Sequence, residues 1–233
     1  MTPPAMQDAG SDLTKGITLA DFGGKPMLRG HVGGEPVLLA RVGDDILAVG
    51  AECTHYSGPL NEGMLIGDTV RCPLHHACFS LRTGEAISAP AFAPLPCWLV
   101  ERDGDHIVVR EKVVAVPQGK SPHGNHPRNI VIVGGGAAGF ACAEMLRRRG
   151  FVGRITMLSE DVDPPCDRPN LSKDFLAGSA PDEWMPLKPR SFYAENDIDL
   201  HLATAVAELD TANRAVTTVD GRTFPFDRLL IAT

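Results

Sequence analysis

Two short segments of the sequence carry cysteine and histidine at spacings that suit metal binding. Cys53 and His55 enclose one residue, Cys72 and His75 enclose two, and sixteen residues separate His55 from Cys72. Two thiolates and two imidazoles on two loops can hold a [2Fe–2S] centre in which one iron takes the cysteines and the other takes the histidines. A zinc site with two cysteine and two histidine ligands is the alternative. Zinc ligand pairs usually enclose two or more residues, however, and only Thr54 lies between Cys53 and His55.

The spacing resembles that of Rieske proteins, and the resemblance implies that these four residues are the cluster ligands. Gly58 and Pro59 resemble the family's loop over the cluster. High-potential Rieske proteins of membranes carry an extra cysteine in each cluster loop, and hydroxyl donors follow their second ligand histidine. This chain has Leu74, Ala77 and Phe79 at such positions of the second loop. Hydrogen bonds to cluster sulfurs raise the reduction potential, so the sequence predicts a low-potential, ferredoxin-like centre, on the order of −150 mV.

Length and composition exclude several classes of protein. A chain of 233 residues is long enough for two domains with separate cores. With a net charge of −7 and no basic cluster larger than Arg147–Arg149, neither nucleic acid nor an anionic membrane surface is an expected partner. No apolar run reaches the length of a membrane span, and residues 1–12 do not resemble a secretory signal. Four of the six cysteines stand singly outside the cluster motif, which predicts a reducing, cytoplasmic compartment.

The first domain, residues 12–111, is predicted to be all-β. Short runs rich in Val, Ile and Leu alternate with Gly and Asp turns. The expected strands are Pro36–Arg41, Asp45–Val49, Thr69–Arg71 and His106–Arg110. Each cluster loop follows one of them. Residues 112–128 contain several prolines and glycines without periodicity and are interpreted as a linker. Its His123 and His126 are interpreted as solvated side chains rather than metal ligands.

The second domain, residues 129–233, opens with a pattern typical of dinucleotide binding. The continuously apolar run Asn129–Val133 predicts a buried parallel strand, and Gly134, Gly136 and Gly139 follow it as G-x-G-x-x-G. The first glycine allows a tight turn and the second lets a pyrophosphate approach the backbone. The third lets the following helix pack on the strand.

The elements after the glycines support the same interpretation. A helix is expected from Ala137 to Arg149, and a second strand, Arg154–Leu158, leads to Glu160, twenty-one residues beyond Gly139. Glu160 can accept hydrogen bonds from an adenosine ribose, and with the neighbouring Asp161 it would repel a 2′-phosphate. The predicted fold class is therefore an all-β domain followed by a partial α/β Rossmann-type domain.

The segment Pro165–Lys173, P-C-D-R-P-N-L-S-K, distinguishes between cofactors. It resembles a segment of FAD-dependent ferredoxin reductases and apoptosis-inducing-factor-like proteins, within the pyridine nucleotide-disulphide oxidoreductases. The resemblance implies bound FAD, with Arg168 and Lys173 along the flavin and Val206 in a segment that touches the adenine. The alternative is that both cations belong to a solvated loop. Cys166 departs from the family, which usually has an aromatic residue there.

The resemblance also implies that the family extends beyond this chain. After the segment that ends at Thr233, the family continues with an NAD(P)H domain and the rest of its FAD domain. The sequence is therefore expected to be truncated at its C-terminus, and NAD(P)H is a co-substrate of the full-length form. Because the hydride site would lie in that further part, no catalytic acid or base is assigned.

Three functions follow as hypotheses. The first is an FAD-dependent reductase that passes electrons from NAD(P)H through FAD to the Rieske cluster and then to a redox partner protein, such as an oxygenase. The second is a stand-alone Rieske-ferredoxin-type electron carrier with a vestigial or docking Rossmann segment. The third is a redox sensor whose cluster state regulates partner binding.

Overall fold

The computed structural model describes residues 10–113 and 127–233. The chain divides into two compact units whose boundary lies between these two ranges. Most of the expected linker, including His123 and His126, lies outside the described residues. The expected domain limits therefore stay predictions.

Strands dominate the first unit. Within residues 10–113 they are β1 Ser11–Asp12, β2 Ile17–Thr18, β3 Met27–Val32, β4 Glu35–Val42, β5 Asp45–Gly50, β6 Met64–Ile66, β7 Thr69–Arg71, β8 Cys78–Ser80, β9 Ala86–Ser88, β10 Cys97–Asp103 and β11 His106–Val113. Short 3-10 helices cover Leu13–Lys15, Leu19–Phe22 and Leu60–Glu62. Seven strands form one sheet in the order β1-β3-β4-β5-β10-β11-β2, and β6 to β9 form an antiparallel sheet in chain order. The first unit is therefore all-β, as predicted.

The larger sheet is buried on both faces at its centre. On β4, Leu38 packs into a core that includes Val70 and Phe79 of the smaller sheet. Its neighbour Leu39 points to the opposite face and packs into a core with Leu13. Successive side chains of a strand point to opposite faces, so the continuous apolar run of β4 fills both cores. This doubly packed sheet is a rigid support for the loops that leave it.

The predicted strands are confirmed, with small differences at their ends. Thr69–Arg71 is found unchanged, while β4 and β5 extend slightly beyond the predicted runs. β11 continues to Val113, three residues past the predicted end at Arg110. β3 and β10 were not predicted. In β3, the residues Arg29, Gly30 and His31 interrupt the apolar pattern that sequence analysis depends on.

The second unit contains a parallel sheet and a small antiparallel sheet. Its strands are β12 Asn129–Val133, β13 Arg154–Leu158, β14 Ile198–His201, β15 Val206–Asp210, β16 Ala215–Thr218, β17 Thr223–Pro225 and β18 Arg228–Ile231. Its helices are α1 Ala137–Arg148, α2 Arg168–Asn170 and α3 Arg190–Glu195, with a π-helical turn at Leu171–Phe175 and a 3-10 helix at Asp182–Trp184. The parallel sheet has the order β14-β13-β12-β18, and β15 to β17 form the other sheet. The unit is Rossmann-like. None of the described helices is both long and apolar enough to cross a membrane.

Helix α1 follows β12 and packs back onto the sheet. Its buried residues are Gly139, Phe140 and Ala143, which share one face of the helix. The ring of Phe140 meets Tyr193 of α3 edge to face, with centroids 6.2 Å apart. The helix ends at Arg148, one residue before the predicted end.

Arg147 anchors the C-terminal end of α1. Its guanidinium donates hydrogen bonds to four backbone carbonyls, those of Phe151, Gly153, Asn196 and Asp197, at 2.6 to 2.8 Å. These carbonyls lie in the turn after α1 and in the turn before β14. Partial burial lowers the pKa of Arg147 from its ordinary value. One side chain therefore ties the end of the helix to two turns, a role that the sequence analysis did not predict.

Candidate metal centre and dinucleotide site

The first cluster loop leaves β5 and folds back on itself. The amide of Cys53 donates to the carbonyl of Gly58, and the amide of Ser57 donates to the carbonyl of Cys53, both at 2.9 Å. Ser57 has a φ of 48°, in the left-handed region. These bonds close a tight loop that begins at Cys53 and contains His55.

The second cluster loop has a similar construction between β7 and β8. The amide of Cys72 donates to the carbonyl of Ala77 at 2.8 Å. His76 has a φ of 64°, which turns the chain back toward β8. His75 and His76 are both exposed, as is Leu74 at the tip of the loop. The strand before each loop was predicted and is confirmed.

The two loops pack against each other through their cysteines. Cys53 is 3 % exposed and Cys72 is 2 % exposed. A Cβ added to Gly58 would lie 2.8 Å from Cys72 Sγ, so only glycine leaves room for that sulfur. Burial is the main cause that raises the pKa of the Cys53 thiol to about 11, and repulsion from Cys72 adds to it. The apolar surroundings thus favour the neutral thiol, and a metal would have to displace its proton.

The histidines form a second pair on the outer side. The rings of His55 and His75 are 5.0 Å apart between centroids and almost perpendicular. The ring of Tyr56 lies 4.2 Å from that of His55. Across residues 10–113 and 127–233, no group of three or more His, Cys, Asp or Glu side chains is arranged to hold a metal ion. Paired thiols inside and paired imidazoles outside match a cluster in which two cysteines ligate one iron and two histidines the other, so the donor set fits a [2Fe–2S] group.

Two further contacts hold the first loop, and neither was predicted. Thr54 Oγ1 donates to the carbonyl of Ala93 at 2.7 Å. Arg29 on β3 donates from Nη2 to Glu52 Oε1 at 2.9 Å. Each contact spans more than twenty residues of sequence, so only the fold reveals it. Together they fix the residues on both sides of Cys53.

The glycine turn after β12 has the geometry that its pattern predicts. Gly134 has a φ of 119°, and a Cβ there would collide with the carbonyl oxygen of Ala232. A Cβ on Gly139 would collide with the carbonyl oxygen of Gly134, so the third glycine allows the helix to approach the turn. Gly136 is different, because a Cβ there would meet nothing within 4 Å. The turn therefore has free space beside Gly136. This residue is the N-cap of α1, and no side chain in the described part of the chain caps the helix there.

A fourth glycine, Gly135, also has a structural role that was not predicted. Its Cβ would collide with Oγ of the buried Ser159, which follows β13. The amide of Ser159 donates to the carbonyl of His201 at 2.9 Å, and Ser159 Oγ accepts from the amide of Asp161 at 3.2 Å. The run of three consecutive glycines was the available signal. The lack of a side chain at Gly135 therefore lets the glycine turn pack closely against the residue that follows β13.

The remaining predicted cofactor residues lie after β13 and at β15. Glu160 is exposed, directly after Ser159 at the carboxyl edge of the parallel sheet. Val206 is the first residue of β15 and packs against a core that includes Val131. Its side chain is therefore directed inward, and its backbone pairs with Thr218 of β16. Ala137 is the first residue of α1.

Arg168 and Lys173 lie in the irregular segment between β13 and α3. Arg168 Nη2 lies 3.0 Å from Asp161 Oδ2, and both side chains are more than half exposed. Lys173 is exposed at a kink in the π-helical turn, with φ −124° and ψ −107°. Cys166 forms an isolated antiparallel bridge with Pro186. Contact of either cation with a flavin stays a prediction.

Comparison with known proteins divides the chain as the structure does. Residues 17–99 match the Rieske [2Fe-2S] domain, and residues 128–233 match the pyridine nucleotide-disulphide oxidoreductase family. Apoptosis-inducing factor 3 of Mus musculus is 33 % identical over 213 residues, which are 87 % of this chain and 35 % of that protein. The chain thus spans about a third of the length of that relative.

Two bacterial proteins each match one unit. The ferredoxin–NAD(+) reductase component of the p-cumate 2,3-dioxygenase system of Pseudomonas putida is 42 % identical over 104 residues, 45 % of this chain and 26 % of that protein. The ferredoxin component of biphenyl 2,3-dioxygenase of Rhodococcus jostii (strain RHA1) is 40 % identical over 97 residues, 42 % of this chain and 91 % of that protein. The chain therefore belongs to the Rieske [2Fe-2S] domain family through its first unit, and its second unit matches the pyridine nucleotide-disulphide oxidoreductase model over residues 128–233.

Proposed function

We propose that the chain is part of an electron-transfer oxidoreductase that passes electrons from NAD(P)H through FAD to a Rieske [2Fe–2S] cluster, and then to a protein acceptor such as an oxygenase component. The matches to the two family models support these three cofactors. When bound, FAD takes up electrons in pairs and the cluster transfers them singly. The observation that carries the proposal is the presence, in one chain, of a two-loop set of paired cysteine and histidine donors and an open glycine turn at a helix N-terminus.

The four donors would have distinct roles at the metal centre. Cys53 and Cys72 would hold the iron on the buried side, where the surrounding core excludes water. His55 and His75 would hold the outer iron. His75 is exposed, so its imidazole edge is accessible to a partner protein. A low-potential centre fits this role, because it can pass electrons to acceptors whose potential is only moderately higher.

The second unit would bind the pyrophosphate and adenosine of FAD. Backbone amides at Gly136 and Ala137 begin α1, whose N-terminal partial positive charge favours a phosphate group. Glu160 lies after the neighbouring strand and would accept hydrogen bonds from the ribose. Arg168 and Lys173 would lie nearer the flavin, where a cation favours the reduced, anionic form. The backbone of Val206 would face the adenine.

An absorption spectrum of the purified chain tests the proposal. Flavin bands together with the broad bands of a Rieske cluster, both bleached on addition of NADH or NADPH, would support the complete pathway. A spectrum with both groups that only dithionite bleaches would place the NAD(P)H step outside this chain. A cluster spectrum that stays free of flavin after incubation with excess FAD would refute the flavin step for this chain.

A second candidate function is a Rieske-ferredoxin-type electron carrier whose Rossmann segment serves in docking. The near full-length match to a dioxygenase ferredoxin component favours it. This carrier would be reduced by a separate reductase and would show no flavin. In both cases we propose a cytoplasmic location, because none of the six cysteines, all of which lie in the described residues, forms a disulfide, as suits a reducing compartment.

A further inference from the structure

Arg29 is a charged residue on the face of the large sheet that supports the cluster loops. On β3, Met27 and Arg29 are two residues apart and therefore point to the same face. Met27 packs in the core that also contains Cys53 and Cys72. The Arg29 side chain is only 13 % exposed. A guanidinium thus lies on the side of the sheet that carries the two thiols.

Among the described residues, only one nitrogen of the Arg29 guanidinium has a carboxylate partner. Its Nη2 lies 2.9 Å from Glu52 Oε1, in an ion pair. Its Nε and Nη1 are buried and have no hydrogen-bond partner among the residues that the structure describes. Two buried guanidinium nitrogens without an acceptor carry a desolvation cost that the ion pair at the third nitrogen does not remove, so this position is unfavourable for stability alone. Glu52 directly precedes Cys53 and is 42 % exposed, so solvent reaches the carboxylate more than the guanidinium.

We propose that the charges of Arg29 and Glu52 together tune the reduction potential of the cluster. The inference rests on the proposed ligand set. Reduction adds one electron, and therefore one negative charge, to the cluster. A buried cation stabilises that added charge, and a carboxylate beside a ligand cysteine opposes it. Arg29 therefore offsets Glu52 and keeps the potential higher than it would be with the carboxylate alone.

The test measures reduction potentials by dithionite titration of the cluster-loaded protein, followed by its visible circular dichroism. Arg29→Met is expected to shift the potential down, because it leaves Glu52 uncompensated. Glu52→Gln is expected to shift it up. The double variant is expected to lie between the two single variants. Arg29→Lys keeps the charge and loses the planar fork, so its potential is expected to stay closer to the parent than that of Arg29→Met.

The exposed pair Arg110 and Glu101 provides matched controls. Its atoms Nε and Oε2 are 2.7 Å apart, and its side chains are 46 % and 56 % exposed. Arg110→Met and Glu101→Gln change the net charge equally but are expected to leave the potential unchanged. Equal shifts in these controls would overturn the inference, because the effect would then come from net charge.

The outcomes separate this inference from the proposed function. Shifts of the same sign in Arg29→Met and Glu52→Gln would indicate loop distortion and overturn the electrostatic role. If Arg29→Met does not assemble a cluster, Glu52→Gln decides alone, and an unshifted or lowered potential overturns the inference. A parent protein that cannot be loaded with a cluster would refute the ligand set, and this inference with it.

Discussion

The imidazole rings of His55 and His75 stand edge to face, with centroids 5.0 Å apart, and His75 is exposed whereas His55 is partly buried. The two histidines are twenty positions apart in sequence, and the packing of Gly58 on Cys72 brings their loops together. In the proposed ligand set, this pair would hold the outer iron.

Replacing His75 by cysteine is expected to lower the reduction potential. A thiolate adds a negative charge where the imidazole is neutral, so the potential should move toward the value of about −400 mV typical of four-cysteine plant-type clusters. Electron paramagnetic resonance during a redox titration measures both potential and signal. His76→Asn, at the exposed neighbour, is the control and should keep the parent values. If His75→Cys also keeps them, His75 is not a ligand.

Gly58→Ala is expected to disrupt cluster assembly. The new methyl group would lie 2.8 Å from Cys72 Sγ and 3.0 Å from Leu74 Cδ1, so the loops would have to separate. We expect overpacking to cost about 1–3 kcal/mol and iron and sulfide content to fall several-fold. Chemical analysis of iron and sulfide per chain measures the loss. Gly136→Ala in the second unit is the control, and a fall of the same size there would point to a general folding defect.

Alanine at Gly135 should lower stability, whereas alanine at Gly136 should weaken FAD binding. Gly135→Ala collides with Ser159 Oγ and is expected to lower the stability of the second unit by about 1–3 kcal/mol. Ser159→Gly should restore much of that loss in the double variant.

In Gly136→Ala, the new methyl group faces open space and should leave stability unchanged, while it weakens FAD binding on the order of tenfold, or ~1.4 kcal/mol. Thermal unfolding and equilibrium dialysis with FAD separate the two effects. Unchanged FAD affinity in Gly136→Ala would contradict the proposed pyrophosphate site.

Asp227 should make the stability of the second unit depend on acid pH. The amides of Arg128 and Asn129 donate to Asp227 Oδ2 at 2.7 and 2.9 Å, and these bonds lower the pKa of that carboxyl below its ordinary 3.8. A lowered folded-state pKa contributes stability above pH 3.8, and this contribution is lost as the pH falls through the folded value.

The corresponding variant is Asp227→Asn. It should be less stable than the parent at pH 7, and the difference should shrink as the pH falls below the ordinary carboxyl pKa. Urea unfolding followed by the amide NMR signals of β12 reports on this unit specifically. Asp163→Asn, at an exposed carboxylate, controls for the loss of one charge. A difference between parent and Asp227→Asn that stayed constant with pH would exclude this linkage.

Sequence analysis predicted the elements whose pattern is local. The run Asn129–Val133 is continuously apolar, and β12 occupies those residues without change. The ligand motif was likewise local, since each pair of donors lies within one loop. β3 was missed because Arg29 and His31 occupy positions where an apolar alternation would be expected. Arg29 is accommodated there by its ion pair with Glu52, a contact that no short window of sequence contains.

The contacts that support the site could not have been predicted for a similar reason. Arg29 and Glu52 are 23 residues apart, and their meeting depends on the path of the chain through β3, β4 and β5. Ser159 Oγ excludes a side chain at position 135 because β12 and β13 pair in parallel, with Val133 opposite Leu158. A pattern of residue types identifies the donors. Register and sheet order determine what surrounds them.

The four hydrogen bonds of Arg147 have a mechanical consequence for the opposite end of its helix. A helix that is held by carbonyls from two separate turns can neither rotate about its axis nor slide along it without breaking those bonds. Gly136 is the N-cap of the same helix, whose 12 residues form about three turns. The direction of the first amides of α1 is therefore set from a point far from any ligand. Arg147, near the C-terminal end of α1, thus helps to fix the orientation of the backbone amides at its N-terminal end.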